Sequence, residues 1–290
     1  MSPYLLLVTV GIGISLACRY FPAALPFWMP WDFSWPVFLV TALGLGWFVT
    51  GLVRLPKSGR PPVWRQISFA VGVLSTYAVL QTHLDYYAQH MFFVHCAQHL
   101  VLHHLGAFLI ALGMPGVAIR AGMPAGVRSL LDSRPVRGIV DVIQHPAVAP
   151  VLFVGLIYLW QVPAIHTRAM LDTRLYNVMN ASVAVDGIFF WSLILDNRGK
   201  PPARLGFGLR ALLVIAVEPL QMALGATLSL ASTDYYPVYR ICGRLWDIAA
   251  LSDQHYGGLI IWLPSAMMSL AGMICVLVAL RIHEEQQENA

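Results

Sequence analysis

The sequence is dominated by long apolar segments, nearly free of charge, that alternate with short polar connections. A helix needs about 20 apolar residues to cross the hydrocarbon core of a bilayer, which is roughly 30 Å thick. Helices are expected because backbone polar groups in lipid must be satisfied within the protein. The pattern predicts eight membrane-spanning helices, at about residues 3–18, 36–53, 64–82, 89–112, 147–163, 175–195, 209–231 and 257–280.

Composition supports this interpretation and excludes several classes of protein. Hydrophobic residues make up 58% of the chain and charged residues 11%, against about 45–50% and about 25% in soluble domains. A soluble enzyme, a disordered chain and a nucleic-acid-binding domain are therefore excluded. We expect residues 1–290 to form one all-α integral membrane domain without enzymatic activity. The four cysteines are too scattered for a disulfide framework: Cys18, Cys96, Cys242 and Cys275.

The basic residues predict the orientation of this helix bundle. Three connections, 54–65, 113–146 and 196–210, together with Arg281 hold 13 of the 18 Lys and Arg residues. With eight spans, these connections all fall on one side of the membrane. The positive-inside rule makes that side the cytoplasm, with both termini inside.

Histidines are concentrated in the fourth predicted span. Met91, His95, His99 and His103 recur at intervals of four residues. Each step of four turns about 40° around a helix, so these side chains form one slowly spiralling stripe about 18 Å long. The stripe runs from the outer surface towards the middle of the membrane.

A metal site is one interpretation of this stripe. Two imidazoles at positions i and i+4 can chelate one ion, and thioether with imidazole suits Cu(I). Cys96, one position off the stripe, could add a thiolate. The alternative is that the histidines form hydrogen bonds between helices, as polar groups in membrane bundles often do. The candidate metal ligands are His90, Met91, His95, Cys96, His99 and His103.

Other polar residues lie where they could assist such a site. Asp186 and Glu218 are near mid-membrane, where an isolated charge is too costly. Each must be protonated, paired with a histidine or bound to a cation. At the outer ends of the spans, a further group could capture a cation or simply form a solvated rim. Its members are His83, Asp85, His90, His166, Asp234, Asp253 and His255.

Several motifs, in order, resemble one known family. His95–His99 followed by Leu112–Pro115 looks like the HMxQH…LGxP signature of the multi-spanning CtaG family. The remaining matches extend the resemblance over about residues 31–280: His145-Pro146, Trp160–Pro163, Trp191, Gly225-Ala226 with Tyr235 and Tyr239, and Asp253–Trp262.

The resemblance implies a seven-span family core with one additional N-terminal span, and a role in assembling cytochrome c oxidase. It therefore implies a bacterial plasma membrane and oxidase subunits as partners. Copper is the metal that the stripe of methionine, histidine and cysteine favours, and self-association is left open. Five positions differ from the family pattern. Gln161 replaces the histidine of WHxP, Tyr176, Met179 and Asn180 replace the HxxEH groups, and Cys96 replaces the methionine of HMxQH.

Three functions follow from these observations. The first is an assembly factor that places copper in the membrane-embedded site of a haem–copper oxidase. The second is a membrane cytochrome with bis-histidine haem, which the concentration of histidines on one helix disfavours. The third is a cation or proton transporter that uses Asp186 and Glu218, although no inverted repeat is visible.

Overall fold

The computed structural model describes residues 3–289, and every regular element in that range is helical. The predicted all-α class is therefore confirmed. The α-helices are α1 (Pro3–Tyr20), α2 (Trp35–Arg54), α3 (Val63–Gln81), α4 (His83–His90), α5 (Phe92–Leu100), α6 (Gly106–Leu112), α7 (Gly116–Gly122), α8 (Ala125–Leu131), α9 (Arg134–Ile143), α10 (Ala149–Gln161), α11 (Pro163–Leu171), α12 (Thr173–Ile194), α13 (Phe207–Ser229), α14 (Val238–Cys242) and α15 (Ala250–Glu288).

Six of the helical segments are long and apolar enough to cross a membrane. They are Trp35–Arg54, Val63–Gln81, Phe92–Leu112, Thr173–Ile194, Phe207–Ser229 and Ala250–Glu288. The bent pair α10 and α11 makes a seventh if the two helices count as one span. The first helix contains a shorter apolar stretch, Tyr4–Tyr20, so the count of eight remains a prediction.

Two predicted spans differ locally from the structure. The fourth begins at Phe92, because Met91 is extended and separates α4 from α5. The fifth ends at Gln161, and the chain bends by 75° into α11. Val162 is extended at this bend, the conformation favoured before a proline such as Pro163.

The three arginine-rich connections meet at one end of the bundle, which we call the arginine-rich face. Arg54 donates to the Ala121 carbonyl over 2.9 Å, which joins the first connection to the second. Arg204 pairs with Asp141 over 2.7 Å, which joins the third to the second. The predicted clustering of these connections is thus confirmed. The other end, which contains α4 and α14, is the opposite face.

The segment that carries the histidines lies in the interior of the bundle. Helices α3, α12 and α15 pack around α5 and α6. On the neighbouring pair, Gly225 of α13 and Gly258 of α15 touch so closely that neither position has room for a Cβ atom. Small residues allow membrane helices this close approach. The histidine segment is therefore surrounded by protein on several sides.

Candidate functional site

The N-terminus of the histidine helix is held by a carboxylate from a distant part of the chain. Asp253 of α15 is fully buried and accepts hydrogen bonds from the backbone amides of Phe92 (3.2 Å) and Phe93 (2.9 Å). Arg244 also donates to it over 3.2 Å. A negative charge at a helix N-terminus interacts favourably with unpaired amides and with the helix dipole. Asp253 therefore anchors α5, and its oxygens already have partners.

Four other residues of the predicted outer group have separate local partners. The His83 ring bonds to the Phe27 carbonyl, the His90 ring to the Tyr86 carbonyl, and the His255 ring to the Ala231 carbonyl. Asp234 pairs with Arg240 over 2.7 Å. The structure does not bring this group together as one cation-binding cluster.

Asp85, from the same predicted group, belongs to a buried polar network. Its carboxylate accepts hydrogen bonds from the side chains of Gln89, Gln98 and Tyr176. Burial raises the pKa of the Asp85 carboxyl, and these three donors oppose that shift. The Tyr176 hydroxyl oxygen also lies 3.1 Å from the side-chain Oε1 of Gln98. The network therefore connects α4 and α5 to α12.

The predicted pair of imidazoles is present at the centre of α5. The rings of His95 and His99 lie 4.2 Å apart between centroids, and both are buried. Within residues 3–289, neither ring nitrogen of His95 has a hydrogen-bond partner. His99 bonds through Nε2 to Oδ1 of Asn180 over 3.1 Å, which leaves Nδ1 without a partner in the same range.

Beyond this pair, the helix widens into one π turn, Val101–Leu105. Such turns interrupt α-helices and often occur at functional sites. Both His103 and His104 are buried within it. His103 bonds to Asp186 over 3.3 Å and stacks on Phe153 at 3.9 Å. One of the expected states of Asp186, pairing with a histidine, is therefore observed.

His166 was expected at the outer rim, but the bend before α11 brings it against His95. The two rings are perpendicular, with centroids 4.9 Å apart. The partners of His166 assign its tautomer: Nδ1 donates to the Trp160 carbonyl, and Nε2 accepts from the Tyr239 hydroxyl, both over 3.0 Å. His166 thus forms a fixed wall beside His95. The Trp160–Pro163 motif is the sequence signal that marks this bend.

Positions that depart from the family pattern also surround the histidine pair. Asn180 bonds to His99, and Tyr176 belongs to the Asp85 network. Gln161 accepts a hydrogen bond from the Tyr236 hydroxyl over 2.9 Å. Gln161, Tyr176 and Asn180 therefore supply amide and phenol groups at the places where the family pattern has imidazoles, and Met179 places a thioether where the pattern has a carboxylate.

A small cavity lies beside His99. Its volume is ≈ 20 Å³, and a single water-sized occupant requires roughly 10–15 Å³. The polar residues that line it are Cys96, His99, His104, Gln161, Gln221 and Ser265. Nδ1 of His99 and Nδ1 of His104 have no hydrogen-bond partner among the described residues. The site therefore combines a thiol and two imidazoles around one small space.

The remaining candidates lie outside this cavity lining. Met91 is fully buried, but its extended backbone places it before the helical stripe rather than within it. Both carboxylate oxygens of Glu218 on α13 are buried without a hydrogen-bond partner among the described residues. Across residues 3–289, no group of three or more His, Cys, Asp or Glu side chains is arranged to hold a metal ion.

Comparisons with known proteins give the family of the chain. Residues 46–282 match the family described as cytochrome c oxidase caa3 assembly factor (Caa3_CtaG). The chain is 29% identical over 256 residues to uncharacterized protein Mb0105 of Mycobacterium bovis and to uncharacterized protein MT0111 of Mycobacterium tuberculosis.

These alignments cover 80% of this chain and 37% of each relative, so the chain spans little more than a third of the length of the curated relatives it matches. No solved structure matches the chain significantly. The family match extends over far more than half of the residues and confirms the resemblance seen in the motifs. The chain therefore belongs to the family of cytochrome c oxidase caa3 assembly factors.

Proposed function

We propose that this protein assists the assembly of a haem–copper cytochrome c oxidase in a bacterial plasma membrane by passing Cu(I) to the membrane-embedded site. Family membership supports the client. The observation that carries the proposal for copper is His95, which is buried with both ring nitrogens unpaired within the described chain. An unpaired buried polar group costs about 1–3 kcal/mol. A bound ion would recover part of that free energy.

The geometry of the pair supports a ligand set of low coordination number. His95 and His99 are one turn apart on α5, and Asn180 occupies Nε2 of His99. Nδ1 of His99 is therefore the nitrogen available to the metal. In many metal sites, the ring nitrogen of a histidine that does not bind the metal forms a hydrogen bond with a neighbouring group, which fixes the orientation of the ring.

Cys96 offers a way to lower the cost of burying a cation. Its side chain lines the same cavity as His99. Binding of Cu(I) to the thiolate releases the thiol proton, so the bound ion and its ligands carry no net charge. Burial of an uncompensated charge in an apolar environment is very costly, whereas thiolate and imidazole are both suitable ligands for copper.

The copper proposal is tested on the full-length chain in detergent. Cu(I) is titrated anaerobically against a chromophoric chelator, and we expect one equivalent to bind the unmodified protein. His95→Leu and His99→Leu should abolish this binding, while His145→Leu, at an exposed histidine of the arginine-rich face, should retain it. Absence of binding to the unmodified chain would refute copper transfer. A strong Soret band would instead favour the haem alternative.

The oxidase is tested separately in cells. The double variant His95→Ala, His99→Ala should lower assembled oxidase activity while the protein remains in the membrane. Normal oxidase activity in that variant would refute the role of the pair, whatever the titration shows. Copper or proton flux into liposomes that Glu218→Gln abolishes would support the transport alternative.

The proposed orientation places the arginine-rich face in the cytoplasm. In a chain with Cys18→Ser, a membrane-impermeant thiol reagent added to intact cells should label Cys242, which lies on the opposite face. The same reagent should not label a cysteine introduced by Ser58→Cys, on the arginine-rich face. The reverse pattern would invert the topology.

A further inference from the structure

A second, larger cavity lies at the arginine-rich face, far from the histidine pair along the bundle. Its volume is ≈ 310 Å³, and it is enclosed by the ends of α3, α6 and α12 and by the last turns of α15. Small-molecule sites commonly occupy about 300–1,000 Å³. The cavity is therefore large enough for a polar headgroup and the first part of an attached chain.

The walls of this cavity are amphipathic. Ile274, Val278 and Ile282 of α15 line it at intervals of four residues, and each is about half exposed. Polar groups from Arg65, Asn197 and Gln286 line it as well. None of the described residues that line the cavity is acidic. Such a combination fits a molecule with an anionic head and an apolar tail.

Arg65 is the group that gives the cavity its charge preference. No carboxylate among residues 3–289 lies within ion-pair distance of it. Its Nε is buried without a hydrogen-bond partner in that range. One Nη donates to the Met114 sulfur over 2.9 Å, although a thioether is a weak acceptor. The guanidinium is therefore free to bind an anion.

The neighbouring side chains argue against a metal ion in the same cavity. Met114, Cys275 and His283 could each ligate a soft cation. The Arg65 guanidinium, however, lies directly against the Met114 sulfur, and its positive charge would repel a cation there. Trp64, whose ring lies 5.0 Å from the Arg65 guanidinium carbon, is typical of residues at the membrane interface.

We infer that this cavity binds one anionic phospholipid from the surrounding bilayer, with the phosphate at Arg65 and an acyl chain along Ile274, Val278 and Ile282. Basic pockets between membrane helices bind anionic headgroups in this way. The half-exposed α15 side chains give the acyl chain a continuous path from the cavity into the bilayer. Arg–phosphate contacts are often bidentate, which adds directional specificity to the charge attraction.

The test uses native mass spectrometry of the full-length chain, purified in detergent and mixed with equal amounts of phosphatidylglycerol and phosphatidylcholine. The unmodified protein should retain one phosphatidylglycerol with about fivefold preference, the effect expected for one interfacial arginine. Arg65→Gln should remove the preference. Lys57→Gln, an exposed cation of the adjacent connection, is the matched control and should preserve it.

A second variant fills the cavity and keeps the positive charge of Arg65. Ala279→Phe places a ring in the cavity, so it should reduce retention of both lipids while Arg65 is unchanged. If inorganic phosphate displaced the lipid as effectively as phosphatidylglycerol did, the site would be a general anion site and the inference would be wrong. Equal retention of the two lipids by the unmodified protein, or unchanged retention in both variants, would also overturn it.

Discussion

The two halves of the histidine segment, α5 and the π turn, both contain buried histidines. These histidines differ in the partners that their side chains have. In α5, His95 is buried with two unpaired ring nitrogens in the described chain. In the π turn, His103 is equally buried, but it bonds to Asp186 and stacks on Phe153. Burial alone therefore does not distinguish a structural histidine from a candidate ligand. The hydrogen-bond partners of each nitrogen make the distinction.

The largest expected effect concerns the first half. His99→Leu introduces an apolar side chain of similar size and removes the ligand shared by the pair and the cavity. We expect Cu(I) affinity to fall by more than about 100-fold, which exceeds the usual loss when only a supporting group is removed. Anaerobic titration of the purified variant measures this. An unchanged affinity would contradict the proposal that α5, unlike the π turn, supplies the copper ligands.

Asn180→Leu tests whether the orientation of His99 matters. The substitution removes the Oδ1 partner of His99 Nε2 but leaves both imidazoles in place. Loss of such an outer partner typically lowers metal affinity by about 10–100-fold. The same titration measures this effect. An affinity loss as large as that of His99→Leu would show that Asn180 does more than orient the ring.

Asp186→Leu should affect stability rather than copper binding. It removes the partner of His103 and leaves a buried imidazole nitrogen unpaired. We expect the free energy of unfolding to fall by about 1–3 kcal/mol, with Cu(I) affinity unchanged. Thermal unfolding in detergent and the copper titration measure the two quantities. If the Cu(I) affinity falls and the stability does not, the π turn also contributes to metal binding.

Met91→Leu should have the smallest effect. The two side chains have similar volumes, so the loss of stability should stay below about 1.5 kcal/mol. Removal of the thioether should impair oxidase assembly only when copper is scarce, and added copper should restore it. Oxidase activity measured over a series of copper concentrations tests this. A defect that persists at high copper would place Met91 in the site itself.

The sequence was sufficient to predict the helical class, the clustering of arginine-rich connections and the His95–His99 pair. These features depend on local periodicity, since apolar length defines a span and a four-residue interval places side chains on one helix face. The family pattern also singled out Asp253 and Trp160–Pro163, but it did not predict what these residues do in the structure.

The remainder depended on contacts that periodicity does not encode. The π turn widens the helix by one residue and so buries His104 beside His103. The bend at Val162 turns His166 from the expected rim to the side of His95. Asp253 reaches α5 from 161 residues further along the chain. Each of these features is set by tertiary packing, and a helical wheel drawn for one span cannot show it.

The long-range cap on α5 has a consequence for biosynthesis. Because Asp253 lies near the start of α15, the amides of Phe92 and Phe93 cannot receive their carboxylate partner until α15 has been synthesised and inserted. The histidine helix therefore reaches its final position only after the helices between α5 and α15 have been made. A nascent chain that stops before α15 would hold the imidazoles but leave the start of their helix uncapped, so premature capture of metal during translation would be disfavoured.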